Sequence, residues 1–361
     1  MTYASGPYGY GYAPPPPPPK PGVIPLAPLG LGQLLTGVFS TFGRYWKPLV
    51  GVAAAAYAAA TALVGGALLL AWNAVADDVD RLSRLPEGKE PAFADVQPLL
   101  VAFGAVWLTG VAALIVAGGL VHAATPAVTQ EAVLGRPVRF GAVWSRAWSR
   151  LGSVLGSVLL TMLAAFLPMV LFLAGFFLLM IGMIMGIAAS EGGGDGGAGP
   201  LIAGLLLFLA ALGTFPLGVW LWVKYSLAPA AAVVEGLGAL AALRRSSELV
   251  RGSWWRIFSC TMITGMIVAV ANYVVQQICS LLSFFPMSAM NLEPGRGPAE
   301  FIGTFAGLIA FLMVVSIAAQ AVLAPLQPLT SALLYVDQRI RKENLGPLLA
   351  QTAAAEAPTS R

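Results

Sequence analysis

The side chains able to do chemistry are few and scattered. One histidine, His122, and two cysteines, Cys260 and Cys279, occur in 361 residues. There is no P-loop, no HExxH helix, no Cys/His metal set and no nucleophile elbow. The sequence therefore offers no catalytic constellation, and neither a cofactor nor a metal is expected. Neutral polar residues are more suggestive. Asn272 and Gln276 stand four apart, on one face of a helix, with Gln277 beside them, and Gln320 lies in a second apolar run. Such groups either hydrogen-bond between helices, contributing about 0.6–2 kcal/mol each, or line a polar path. His122 fits a proton relay or an ordinary interfacial side chain. Glu131 and Glu235 follow Pro126 and Pro229 at similar offsets and are expected to pair with nearby arginines.

The elements that must position these residues are dictated by charge. Hydrophobic residues make up 58% of the chain and charged ones 10%, against about 25% charge in soluble domains. Six stretches, 48–76, 96–130, 151–190, 196–223, 257–292 and 301–336, contain no Asp, Glu, Lys or Arg. Each exceeds the roughly 20 residues that cross a hydrocarbon core. They are continuously apolar rather than alternating, and lipid leaves every backbone group to be satisfied internally, so they are helices. The expected fold is an all-α integral membrane protein with spans at about 49–75, 98–124, 153–187, 201–226, 257–284 and 302–335. A seventh charge-free stretch, 21–43, holds Pro21, Pro25 and Pro28 and is rejected as a span, because proline lacks a helix donor. The third span would reach about 52 Å, and Pro168 inside it predicts a kink or a tilt. Cys260 and Cys279 would lie about 28 Å apart along one helix, beyond disulfide reach.

The ends read differently. Residues 1–22, with Tyr3, Tyr8, Tyr10 and Tyr12 among Gly and Pro and an unbroken run from Pro14 to Pro19, form a disordered tail of polyproline II character. It is either a docking ligand or a plain tail. Residues 23–346 form the membrane domain and 347–361 a second disordered tail. The first long apolar run lacks a cleavage-like end and is expected to stay as an anchor.

Lys and Arg collect on the cytoplasmic side of membrane proteins. With six spans and the N-terminus inside, sixteen of the twenty basic residues fall on that side, leaving Arg81, Arg84, Lys89 and Arg296 outside. Asp77, Asp78, Asp80, Glu87, Glu90 and Asp95 add acid to the first outer loop. Both termini are thus expected in the cytoplasm of a bacterial cell and the chain in its plasma membrane. This asymmetry accounts for a pI near 9.2 without nucleic acid as a partner.

A repeat emerges at the basic ends. Before spans one, three and five lies an amphipathic stretch closed by Trp and basic residues. Leu31, Leu34, Leu35, Val38, Phe39 and Phe42 make the first apolar face, closed by Arg44, Trp46 and Lys47. Phe140, Val143, Trp144 and Ala147 make the second, opposite Arg139, Arg146 and Arg150, with Trp148 at its end. Leu240, Leu243, Val250 and Trp254 make the third, among Arg244, Arg245, Arg251 and Arg256. Trp46, Trp148 and Trp255 recur 102 and 107 residues apart, and the exit prolines Pro126, Pro229 and Pro325 recur 103 and 96 apart. The chain reads as three tandem units, each an interfacial helix plus a transmembrane hairpin. Their Trp and Arg residues are candidate anchors to a bilayer with anionic inner-leaflet headgroups. The third unit departs, since its first acid, Asp337, comes twelve residues after Pro325.

The segment YSLAPAAAVVEGLGALAALRRSSELVRGSWWRIF, from Tyr225 to Phe258, carries Pro229, Glu235, Arg244, Ser246, Ser247, Gly252, Trp254 and Trp255. It resembles the bacterial glycerophosphoryl diester phosphodiesterase membrane-domain family and its actinobacterial relatives. PGVIPLAPLGLGQLL and LLYVDQRIRKENLGPLLA extend the likeness over about residues 21–350. The resemblance implies a membrane module that elsewhere accompanies a catalytic barrel with His and acidic residues around a divalent metal. With one His and no soluble segment long enough for that barrel, phosphodiesterase activity is not expected here.

No ionisable residue lies at mid-depth of a span, where ion and proton pathways place them. The functional expectation is a non-enzymatic scaffold or accessory component of the cell envelope. A membrane-protein partner or a homo-oligomer is expected beside the lipid, and Gly152/Gly156, Gly182/Gly186 and Gly303/Gly307 have the spacing for close helix approach. The alternative is a transporter or lipid-handling protein with a polar path near Asn272, Gln276 and Gln320. Its tandem hairpins are similar in architecture to mitochondrial carriers, without the Pro-x-acid-x-x-base signature after the exit prolines.

Overall fold

The computed structural model describes residues 21–83, 92–191, 198–290 and 298–356. The tail residues 1–20 and 357–361 lie outside them. The helices are α1 (Leu31–Arg44), α2 (Trp46–Ser83), α3 (Phe93–Leu134), α4 (Phe140–Glu191), α5 (Ala198–Tyr225), α6 (Ala228–Val234), α7 (Ala239–Val250), α8 (Trp254–Met290), α9 (Pro298–Leu323), α10 (Leu326–Glu343) and α11 (Leu345–Glu356). No strand occurs among the described residues. Among the described residues, six segments are long and apolar enough to span a bilayer. The chain is an all-α polytopic membrane protein, and 21–43 contributes no span.

The spans pack in a circuit. α2 lies against α3, α3 against α4, α4 against α5, α5 touches α8, α8 packs on α9, and α9 returns to α2. Few of their residues are covered: 6–28% of each most apolar window is buried. Leu70, Phe103, Trp107, Leu163 and Met266 are among the many large side chains left open. Lipid tails solvate such surfaces as well as another helix would, so a bilayer imposes no demand to bury them. The dense core sits at the basic end instead. Leu29, Leu34, Leu49, Leu227, Leu249, Ile257, Leu329, Leu333 and Leu334 are all essentially inaccessible there.

The repeat is visible in the backbone, with departures. The helix after each exit proline ends in a left-handed residue or turn: Gly135 (φ 76), Gly236 (φ 70) and Asn344 (φ 53). In the first unit Pro126 lies within a continuous α3; in the others the chain breaks before α6 and α10. The expected sixth span, 302–335, is therefore two helices. Its charge-free run overshoots because α10 buries Leu329, Leu333 and Leu334 against protein rather than lipid. The second interfacial stretch is no separate helix either. Phe140 to Glu191 forms one α-helix of 52 residues running through Pro168, because nothing between Trp144 and Leu151 breaks it as Gly252 (φ 79) separates α7 from α8. Residues 347–356 of the expected C-terminal tail are helical as part of α11, whose Leu345 and Leu349, four apart, pack against the core.

The amphipathic faces also shift. On α1 the buried side chains are Leu34, Val38 and Thr41, while Leu31 and Phe39 stay exposed, so one broad stripe is shared between protein and lipid. On α7 the buried line is Ala242, Ser246, Leu249 and Val250, with Leu240 exposed. Small residues win that face because α7 lies close on α4, where Cβ of Ala239 leaves no room for a side chain at Gly156. That glycine contact is thus within the chain.

Candidate functional site: an ionic layer at the basic end

At the basic end the fold gathers charged groups in two knots and one outlying pair. The first knot is centred on Asp337, whose side chain is fully buried on α10. It accepts the backbone N–H of Leu29 at 2.8 Å. Arg256, at the start of α8, donates to it from Nη2 at 3.1 Å, and Arg341, one turn along α10, from Nε at 3.0 Å. Both guanidiniums also donate to the Leu29 carbonyl, Arg341 at 2.7 Å. Both the N–H and the C=O of Leu29 are thereby satisfied by side chains from two other elements. The carboxylate oxygens are already engaged, so Asp337 is built as a latch rather than as a proton acceptor.

The second knot joins α6, α7 and α10. Glu235 accepts from Arg245 Nε with both oxygens, at 2.9 and 3.1 Å, and from the Tyr335 hydroxyl. Arg245 also pairs with Glu343, which Arg339 holds at 2.7 Å. Burial works against the charge on Arg245, and its hydrogen bonds to Glu235 and Glu343 outweigh that, so its pKa lies above the usual arginine value. Lys342 adds a strap, donating to the carbonyls of Glu248 and Arg251 at 3.0 and 2.6 Å. The outlying pair is Glu131 with Arg136, at 3.4 Å.

Residues singled out from sequence fall on both sides of this layer. Glu131 and Glu235 meet arginines as described. Arg245 turns inward, and Arg150 donates to the Gly236 carbonyl at 3.0 Å; Arg146, Arg244 and Arg251 stay exposed. Trp46, Trp148 and Trp255 are 50%, 57% and 74% exposed, each at the basic end of a span. Asn272 and Gln320 meet across α8 and α9 at 3.4 Å, and Asn272 also donates to the Val268 carbonyl at 3.1 Å. Gln276 does not join them; it is exposed. His122 is half-buried on α3. Cys260 and Cys279 are free thiols on α8. No group of three His, Cys, Asp or Glu placed to hold a metal occurs among the described residues.

Sequence reasoning names Asp337 and Arg256 without pairing them, and it passes over Arg341, Tyr335 and Gln338. Gln338 is fully buried with neither amide atom hydrogen-bonded among the described residues. Their signal was an acid amid an apolar run at the end of the sixth unit of hydrophobicity, which span counting treats as a boundary. No protein-family model matches this chain, and neither a curated protein nor a solved structure is detectably similar.

Proposed function

We propose that the protein is a non-enzymatic scaffold or accessory component of the cell envelope, its basic end at the cytoplasmic face of the plasma membrane. The observation that carries this is the ionic layer: its buried carboxylate is fully engaged, and its contacts tie the three units together rather than opening toward a substrate. Apolar flanks left open along the spans suit contact with lipid or with another membrane protein. The anchors Trp46, Trp148 and Trp255 suit the headgroup level. A module similar to the phosphodiesterase-associated membrane domain would act by accompanying another chain.

Affinity purification in mild detergent tests this role. Recovery of a constant protein partner, a separately encoded phosphodiesterase for example, supports it; turnover of a lipid or ester by the purified chain alone overturns it. For orientation, cysteines placed at 148 or 255 should react with an impermeant maleimide only after the cells are opened.

A transporter or lipid-handling role is the second reading, favoured by the closed circuit of six spans. Against it, Gln320 Nε2 donates to Asn272 Oδ1 and Asn272 Nδ2 to the Val268 carbonyl, so these donors are taken up within the bundle. Solute accumulation in proteoliposomes that is lost in Asn272→Leu/Gln320→Leu would reverse the ranking.

A further inference from the structure

Where the first unit meets the second, α1, the start of α2 and the α3–α4 connection enclose a groove of about 540 Å³. Sites for small ligands usually measure about 300–1,000 Å³. Arg44, Trp46, Lys47 and Arg136 line it. Its floor is built rather than incidental. Tyr45, 6% exposed, donates its hydroxyl to the Arg136 carbonyl at 3.0 Å. The turn that carries Arg136 depends on Gly135, which is left-handed and lies so close to Pro21 that a Cβ there would sit 2.5 Å from its carbonyl oxygen.

The charge in this groove is only partly cancelled. Arg136 faces Glu131 at 3.4 Å. Among the described residues, no carboxylate pairs with Arg44 or Lys47; Arg44 lies only over the Tyr45 ring, 5.8 Å from its centroid. The contrast is with Arg245 and Arg256, whose guanidiniums are bound by Glu235, Glu343 and Asp337. Two cations flank an exposed tryptophan at the end of a span, and span ends are where Trp and basic side chains meet lipid headgroups. Guanidinium and ammonium groups together suit a phosphate, one as a planar fork and the other as a point charge.

We infer that this groove binds the phosphate of an anionic phospholipid headgroup, with Arg44 and Lys47 as its ligands and Trp46 seating the adjoining glycerol region. The inference depends on the membrane fold and not on the scaffold role. It goes beyond diffuse attraction of a basic surface to a leaflet, because it names one site and a stoichiometry of one.

Native mass spectrometry of the full chain in mild detergent tests it, with phosphatidylglycerol, phosphatidylcholine and inorganic phosphate titrated separately. The expected result is one phosphatidylglycerol retained in preference to phosphatidylcholine, and affinity lowered about tenfold in Arg44→Gln/Lys47→Gln. Arg146→Gln/Arg244→Gln, which removes equal charge from exposed positions elsewhere, should change it less than about threefold. Lys47→Arg should retain binding. Equal losses in the two double variants, or no loss in the first, overturn the site. Displacement of the lipid by inorganic phosphate at matched concentration overturns the lipid as its source. If the double variant unfolds, Lys47→Gln alone, on an exposed side chain, carries the comparison with an expected loss of about threefold.

Discussion

The carboxylate of Asp337 accepts the backbone N–H of Leu29 at 2.8 Å, joining positions 308 residues apart. Through this contact the irregular segment before α1 is held against α8 and α10, and the first unit is tied to the third. Val23 N–H donates to the Ala132 carbonyl at the other end of the same segment, at 3.2 Å, so it bridges the end of α3 as well. The net stabilisation from ion pairs of this kind is smaller than their attraction alone, because desolvation offsets much of it.

Asp337→Asn keeps an acceptor for Leu29 but leaves Arg256 and Arg341 without their counter-charge. Those guanidiniums are 27% and 31% exposed, so the expected loss is about 2–3 kcal/mol, at or below the low end for a broken buried pair. Thermal unfolding in detergent, followed by a thiol-reactive dye that reports on buried Cys260, should show a midpoint several degrees lower. An unchanged midpoint would remove the latch from the account.

Glu235 and Arg245 should be energetically coupled. Their side chains are 21% and 23% exposed and share the layer with Glu343 and Arg339. A double-mutant cycle with Glu235→Gln and Arg245→Gln is expected to return a coupling of about 1–2 kcal/mol. The same cycle on Asp78 and Arg81, where the arginine is 77% exposed, should return about 0–0.5 kcal/mol. Similar values for both pairs would contradict the ranking by burial.

Gln338 is buried with no hydrogen bond to its amide among the described residues, a cost of about 1–3 kcal/mol that an apolar side chain of similar shape avoids. Gln338→Met should leave the unfolding midpoint unchanged or raise it. A marked drop would reveal a polar partner for that amide.

Two glycines should respond oppositely to alanine. A Cβ on Gly22 would lie 2.1 Å from the Ala132 carbonyl oxygen, so Gly22→Ala should destabilise by about 1–3 kcal/mol. Gly32 lies within α1 with nothing within 4 Å of such a Cβ, and Gly32→Ala should stabilise by about 0.5–1 kcal/mol. The unfolding midpoints of the two variants, read against the unaltered chain, decide both.

How the residues were legible follows from range. The Glu235–Arg245 pair could be anticipated because ten residues and a single turn separate its members. The Asn272–Gln320 bond was half visible: the residue types and helix face were readable, but not that Gln276 would be left out, since that depends on how α9 lies on α8. The apolar stripe on α7 was misplaced by about a third of a turn because packing against α4 rewards small residues over large ones.

The sequence by itself determined that the chain lives in lipid and crosses it six times. Transfer of apolar side chains from water is additive along a helix, so uninterrupted composition suffices, and the threefold recurrence of the exit prolines survives in the left-handed turns that follow them. Only the tertiary structure decided where the protein is held together. The pairing of Asp337 with Leu29, Arg256 and Arg341, and the convergence of Arg44, Lys47 and Arg136 on one groove, are relations between distant segments. Charge pairing depends on distances of a few ångströms in three dimensions, and no periodicity along the chain encodes them.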